Sequence, residues 1–212
     1  AVYSDQLRFL DGNYGVKLET TALQPTIHAA VLPWRGTGHY RGLLEKLPRT
    51  VGIGALVRDR DGGRVTVDGE GQPVAHYSLS AFDRQHLRDG FVGAARVLEA
   101  AGAELIFSPH AKWCAYEPGR RGSLASFVGD MDSAGWHTAQ VALFSFHIMG
   151  TARMGGSAKS SAINPDGETW EARNLYVMDG SVFPSASGVN PMISIEAIAH
   201  RQALGLSARL GR

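Results

Sequence analysis

Residues 146–155 read FHIMGTARMG, and the histidine placed there decides how the rest of the chain is understood. His147 closes an apolar run (Val141, Ala142, Leu143, Phe144, Ser145, Phe146) and is followed by the Gly150-Thr151 pair and a small-residue turn at Gly155. A run of that kind reads as a buried strand that delivers a titratable ring to the start of a loop. Further out, residues 174–199, NLYVMDGSVFPSASGVNPMISIEAIA, supply a second apolar strand, a turn at Asp179-Gly180 and a long helix opening at Asn190-Pro191. Both strands are continuously apolar, the pattern of strands covered on two faces. Asn at the cap with Pro at the first helical position is a favoured helix start. Met192, Ile193, Ile195, Ala199, Leu204 and Leu206 are expected to bury along that helix. Arg201 and Arg209 lie in its second half, the end that favours cations.

Upstream the periodicity is different. VGIGALVRD, from Val51, puts Val51, Ile53, Ala55 and Val57 on one face, the period of a half-buried strand. Asp61-Gly62-Gly63 turns it into RVTVD, and DGEGQP turns that into VAHYSL, so the three read as a β-meander. From Ser80 the spacing of Leu87, Phe91, Ala94 and Leu98 gives a helical stripe, with Ser80 as N-cap, Asp83 in the first turn and Gly102 at the end. AELIFSP reads as a strand, and SLASFVGDMDSAG as a shorter helix from Ser123 to Gly135. Strands and helices segregated in this way predict an α+β layer, an antiparallel sheet with helices on one side. The domain division is expected at 1–138 and 139–212.

Composition narrows the function classes. The chain has 212 residues, 44% of them hydrophobic, which supports a buried core. Its 21 basic and 20 acidic residues leave a net charge of +1, so nothing electrostatic argues for nucleic acid. Charges interrupt every apolar run before it reaches the ~20 residues of a transmembrane segment. The opening AVYSDQLRFLDG lacks the basic and apolar regions of a signal peptide. One cysteine, Cys114, permits no intrachain disulfide, and a cytoplasmic location is the default expectation. The eight histidines and Cys114 share no ligand spacing, so no metal is expected. A nucleotide loop is sought in vain: GTGHYRG, residues 36–42, has the spacing G-x-G-x-x-x-G, and Pro33-Trp34 break the strand expected to enter it. It reads as a surface turn.

The motifs FHIMGTARMG and NLYVMDGSVFPSASGVNPM together resemble the C-terminal signature of the glucose–methanol–choline (GMC) family of FAD-dependent alcohol oxidoreductases. NPDGETWE (Asn164 to Glu171) and SVFPSASGVNPM are most similar to its long-chain alcohol oxidase branch. The resemblance implies a substrate domain whose sheet roofs the flavin, followed by the closing segment of a Rossmann-like FAD-binding domain. It also implies an N-terminal FAD-binding half as partner, without which the chain is expected to be inactive. His147 would be the catalytic base, and Asn190 would hydrogen-bond the substrate oxygen. Asp179, Gly180, Asn190, Pro191 and Met192 would approach the FAD.

The chemistry agrees with those residue types. Alcohol oxidation removes a hydroxyl proton and a hydride, and histidine, with a pKa of about 6.5, is suited to the proton. From the residues alone, a hydrogen-bonded core histidine is the favoured reading of His147 and an ordinary cap that of Asn190, while Asp179-Gly180 reads equally as a plain turn; the resemblance is what points to the site. Asn cannot take up a proton near neutrality, so any base role falls on His147. A helix N-terminus, which carries about half a positive charge, suits the anion of a reduced flavin. The alternative reading is a non-catalytic lid or interaction fragment.

Overall fold

The computed structural model describes residues 3–11, 14–20 and 24–211, so Thr21 of GVKLETT and residues 1, 2 and 12 of the opening stretch lie outside the described residues. The fold is mixed α/β, with small antiparallel sheets and helices, and it forms two compact units. One comprises residues 1–61 and 78–144, the other residues 62–77 and 145–212.

The first unit is built on a three-stranded antiparallel sheet of β1 (Tyr3–Asp11), β2 (Tyr14–Thr20) and β3 (Ile53–Val57), in that order. Val16 and Leu18 of β2, paired in register with Val57 and Ala55, form a core with Ala94 of the long helix α3 (Ala81–Ala100). Helix and sheet approach closely at Gly90, where a β-carbon would stand 2.7 Å from Val16 Cγ1 and 2.8 Å from Ala55 Cβ. The helix begins as its sequence dictates. Ser80 Oγ accepts the Asp83 N–H at 3.1 Å, and the buried Asp83 carboxylate accepts N–H bonds from Arg60 (2.9 Å) and Asp61 (3.4 Å). Those last two bonds tie the exit of β3 to the start of α3.

A second core lies on the other part of α3. Ala95 packs with Ile106 of β6 (Ile106–Phe107), Tyr116 of β7 (Ala115–Tyr116), Cys114, and Phe127 and Met131 of α4 (Leu124–Ala134). Ser123 caps α4 through a reciprocal hydrogen-bonded box with Ser126, and Gly135 ends it at φ +94°. Arg88 clasps Asp132 through two hydrogen bonds of 2.7 and 2.8 Å, joining α3 to α4. That guanidinium, with the Trp136 indole N–H as a smaller influence, holds the Asp132 carboxyl below its usual value.

Three readings need correction. The segment before Pro33-Trp34, expected as a strand entering GTGHYRG, is instead helix α1 (Pro25–Val31), whose Pro25 occupies the favoured first turn. GTGHYRG is not a surface turn: Gly36 precedes helix α2 (Thr37–Glu45), and Gly38 and Gly42 lie inside it, each costing about 1 kcal/mol against Ala. The meander is a hairpin instead. β4 (Arg64–Val67) pairs only with β5 (Pro73–His76), while β3 takes β2 as its partner across a long sequence gap.

The second unit holds that hairpin and the helix α5 (Met192–Arg209), with irregular chain between. VALFSF and NLYVMD form no strands here. Val141 makes one isolated bridge, to His110, and Tyr176 one, to Glu168. Leu143, Phe144, Phe146 and Leu175 are exposed, so the covering on two faces that their composition suggested is not supplied by the described residues.

Helix α5 also departs from expectation. Met192, Ile193 and Leu204 are exposed, and Gln202 is the buried residue of the helix. The helix docks through its polar side onto the NPDGETWE turn. Asn164 Oδ1 accepts the amides of Asp166 and Glu168, and at Gly167, φ +89°, a β-carbon would stand 3.0 Å from Gln202 Cδ. Arg209 pairs with Asp166 and Glu168, and Arg201 donates to the Pro165 carbonyl. Among the described residues no helix is long and apolar enough to cross a membrane.

Candidate active site

All the residues singled out by sequence lie in the second unit. His147 is half-buried between the exposed Phe146 and Ile148, which retain 74% and 71% of their surface. Three residues on, Gly150 adopts φ +85°, a conformation that side chains rarely tolerate, and the chain reverses. It then runs beside the short 3-10 turn Gly180–Val182. The Gly150 and Ala152 N–H groups both donate to the Ser181 carbonyl (3.1 and 3.0 Å), and Met154 N–H donates to the Val182 carbonyl (2.9 Å).

Gly180 is the point where the two motifs meet. A β-carbon there would lie 3.3 Å from the Ile148 carbonyl oxygen and 3.3 Å from Ile195 Cδ1. Ile148 directly follows His147, and Ile195 belongs to the first turn of α5, which follows Asn190. The backbone carrying the histidine and the helix that follows the asparagine therefore both rest on one glycine. Nothing in the spacing of the two motifs announces this apposition, because it is made by backbone hydrogen bonds and by a missing side chain.

Asp179 serves the turn. Its carboxylate accepts the Ser181 N–H at 2.7 Å, and hydrogen bonds from the Ser181 side chain and backbone hold its pKa below the ordinary carboxylate value. The plain-turn reading thus holds for one of its oxygens.

The start of α5 differs from the sequence expectation. Pro191, buried, takes the cap position at φ −93°, and the helix ladder opens with Ile195 N–H donating to the Pro191 carbonyl at 2.8 Å. Asn190 stands one residue earlier and is exposed. Pro191 itself carries no capping group, and Met192 and Ile193, the first two helical residues, are 63% and 68% exposed. An exposed helix start with its positive end suits an anionic acceptor, which is the requirement a flavin would place here. In that respect the residues present fit an FAD. Among the described residues no group of His, Cys, Asp and Glu could hold a metal ion.

Comparison with known proteins agrees with the motifs. The C-terminal profile described as GMC oxidoreductase matches residues 59–199. Long-chain-alcohol oxidase FAO4A of Arabidopsis thaliana is 34% identical over 191 residues, covering 89% of this chain and 26% of its own length. A 2-methyl-1,2-propanediol dehydrogenase of Mycolicibacterium austroafricanum is 41% identical over 64 residues, 30% of this chain and 12% of that one. Among solved structures, pyridoxine 4-oxidase from Mesorbium loti aligns over 72% of this chain and 28% of its own, with 18% identity and a TM-score of 0.48. The chain spans about a quarter of the length of the curated relatives it matches, 26% and 25% for the first two. The chain belongs to the GMC oxidoreductase family.

Proposed function

We propose that this chain is the C-terminal part of an FAD-dependent oxidoreductase that oxidises the CH–OH group of a hydrophobic primary alcohol. Four of its relatives are named long-chain-alcohol oxidases, which supports the substrate class. The observation that carries the reading is the apposition at Gly180, where Ile148 and Ile195 bring the segments bearing His147 and Asn190 to one place.

In this reading His147 takes the hydroxyl proton. A positioned base contributes roughly 10²–10⁴-fold in rate. Asn190 holds the substrate oxygen, since an amide can donate a hydrogen bond but cannot take the proton. Met192 and Ile193 offer first-turn amides to the cofactor, and Asp179 with Gly180 shapes the turn beside it. FAD, when bound, supplies the hydride acceptor. An N-terminal nucleotide-binding half would complete the site, and residues 1–138 would form the substrate domain.

The test is kinetic and uses the longer protein. His147→Ala is expected to lower kcat by roughly 10²–10⁴-fold with little change in thermal midpoint. Asn190→Asp is expected to lower kcat as well, because the donor is lost while the side-chain length is kept. Near-full turnover in His147→Ala would sink the base assignment.

A further inference from the structure

A polar cleft of about 380 Å³ opens on the second unit, lined by Gly150, Thr151, Arg153, Lys159, Ser160 and Ser161 among others. Its wall is a closed loop. The Ala162 N–H donates to the Arg153 carbonyl at 2.9 Å and the Gly155 N–H to the Ile163 carbonyl at 3.0 Å, so the two ends are pinched together. Gly155 permits this, since a β-carbon there would stand 2.8 Å from Ser161 Cβ. Within the loop, Ser161 Oγ donates to the Ser157 carbonyl at 2.7 Å and accepts the Trp170 indole N–H at 3.0 Å. The loop is thereby fixed, with Arg153 at its base and Lys159 near its tip.

The cleft is rich in donors and carries no acid. Neither Arg153 nor Lys159 forms an ion pair among the described residues, and no lining residue is Asp or Glu. The N–H groups of Thr151, Ala158, Lys159 and Ser161, all lining residues, make no hydrogen bond among the described residues. Two unpaired cations, several open amides and the hydroxyl of Thr151 suit a compact group with many acceptor oxygens and more than one negative charge; the Ser160 hydroxyl is already bonded to Ser157. A carboxylate would use half of those donors. An apolar ligand would leave all of them dry.

We propose that this cleft binds a phosphoryl oxyanion, with Arg153 and Lys159 as its counter-charges and the loop amides as its cradle. The site does not depend on the alcohol-oxidising reading, because neither His147 nor Asn190 belongs to it.

The test follows the backbone amides of this chain by NMR during titration with inorganic phosphate at constant ionic strength. Saturable shifts at Thr151, Ala158, Lys159 and Ser161 are expected, with Kd about 1 mM, as for a small open site. Arg153→Gln and Lys159→Gln should each weaken binding roughly tenfold. Arg96→Gln, which removes an exposed charge on α3, should leave it unchanged. Absent or non-saturating shifts, or equal weakening by Arg96→Gln, would overturn the site as a general surface-charge effect. If FAD added to the phosphate-bound chain reverses those shifts, the phosphoryl group is that of a dinucleotide. If the shifts persist, it is that of a free or singly phosphorylated small molecule.

Discussion

The carbonyl oxygen of Ile148 lies 3.3 Å from where a β-carbon on Gly180 would sit, and Ile195 Cδ1 closes the same space from the other side. A methyl group there would force a shift of a few tenths of an ångström. The isoleucine tip can turn away. The carbonyl has less freedom, because the Gly150 and Ala152 amides two and four residues later are bonded to Ser181. Gly180→Ala should therefore cost about 1 kcal/mol, read as a lowered urea midpoint of this chain. In the longer protein it should reduce kcat by more than that stability loss accounts for, because the carbonyl that moves adjoins His147.

A similar contact controls the first unit. At Gly90 the added β-carbon would stand 2.7 Å from Val16 Cγ1, which can rotate, and 2.8 Å from Ala55 Cβ, which cannot. Gly90→Ala would gain up to about 1 kcal/mol of helix propensity. Overpacking against a fixed backbone costs about 1–3 kcal/mol, so a net destabilisation is expected. An unchanged or raised thermal midpoint would show that α3 can lift from the sheet at no cost.

Local signals were legible in the sequence wherever a residue acts through its own turn. Ser80 and Ser123 cap the helices their spacing announced, and Gly135 ends α4. Signals that depend on a distant partner were not. The period-two pattern of Val51–Val57 is right for a strand over Ile53–Val57, with Val51 exposed outside it, but cannot say that β2, rather than β4, lies beside it. The apolar content of VALFSF and NLYVMD promised cover on two faces, and composition cannot say where that cover comes from. In α5 the apolar residues suggested a buried stripe, yet the helix is held by Arg201 and Arg209 on the 164–168 turn, with Gln202 buried beside Gly167. Both motifs of the site were readable, whereas their meeting at Gly180 rests on the Ile148 carbonyl and the Ile195 side chain closing on a glycine, which the spacing of neither motif encodes.

Tyr116 predicts an alkaline limit. It is buried between β7 and α4, and its hydroxyl donates to Glu99 Oε2 at 3.1 Å. Burial, and then that bond to the carboxylate, push its pKa up to about 12. An unfolded tyrosine titrates near 10. The fold therefore favours the neutral phenol. Its contribution is complete below about pH 10 and falls as the pH rises toward about 12, because the unfolded chain releases its proton first. Denaturant midpoints taken across that range should drop in the native chain and drop less in Tyr116→Phe. That variant should lose about 1 kcal/mol at neutral pH with the hydrogen bond. Equal alkaline slopes in the two proteins would assign the limit to another group.

The last prediction concerns the apolar surface of the second unit. Phe146, Ile148, Met192 and Ile193 are each more than three-fifths exposed, and all flank the proposed catalytic residues. Single exposed apolar residues are ordinary, but four large ones around one proposed site are a surface that water disfavours. If an N-terminal nucleotide-binding half covers them, this chain alone should bind an apolar dye and self-associate in proportion to concentration. Co-expression with that half should suppress both. Replacing Met192 and Ile193 together by Ser should reduce dye binding of the isolated chain, since neither side chain is needed inside its own unit. The same pair should weaken retention by the upstream half, because burying each of those side chains is worth roughly 1.5–3 kcal/mol. A double variant that is still retained at full strength in a pull-down would place the contact elsewhere on the chain.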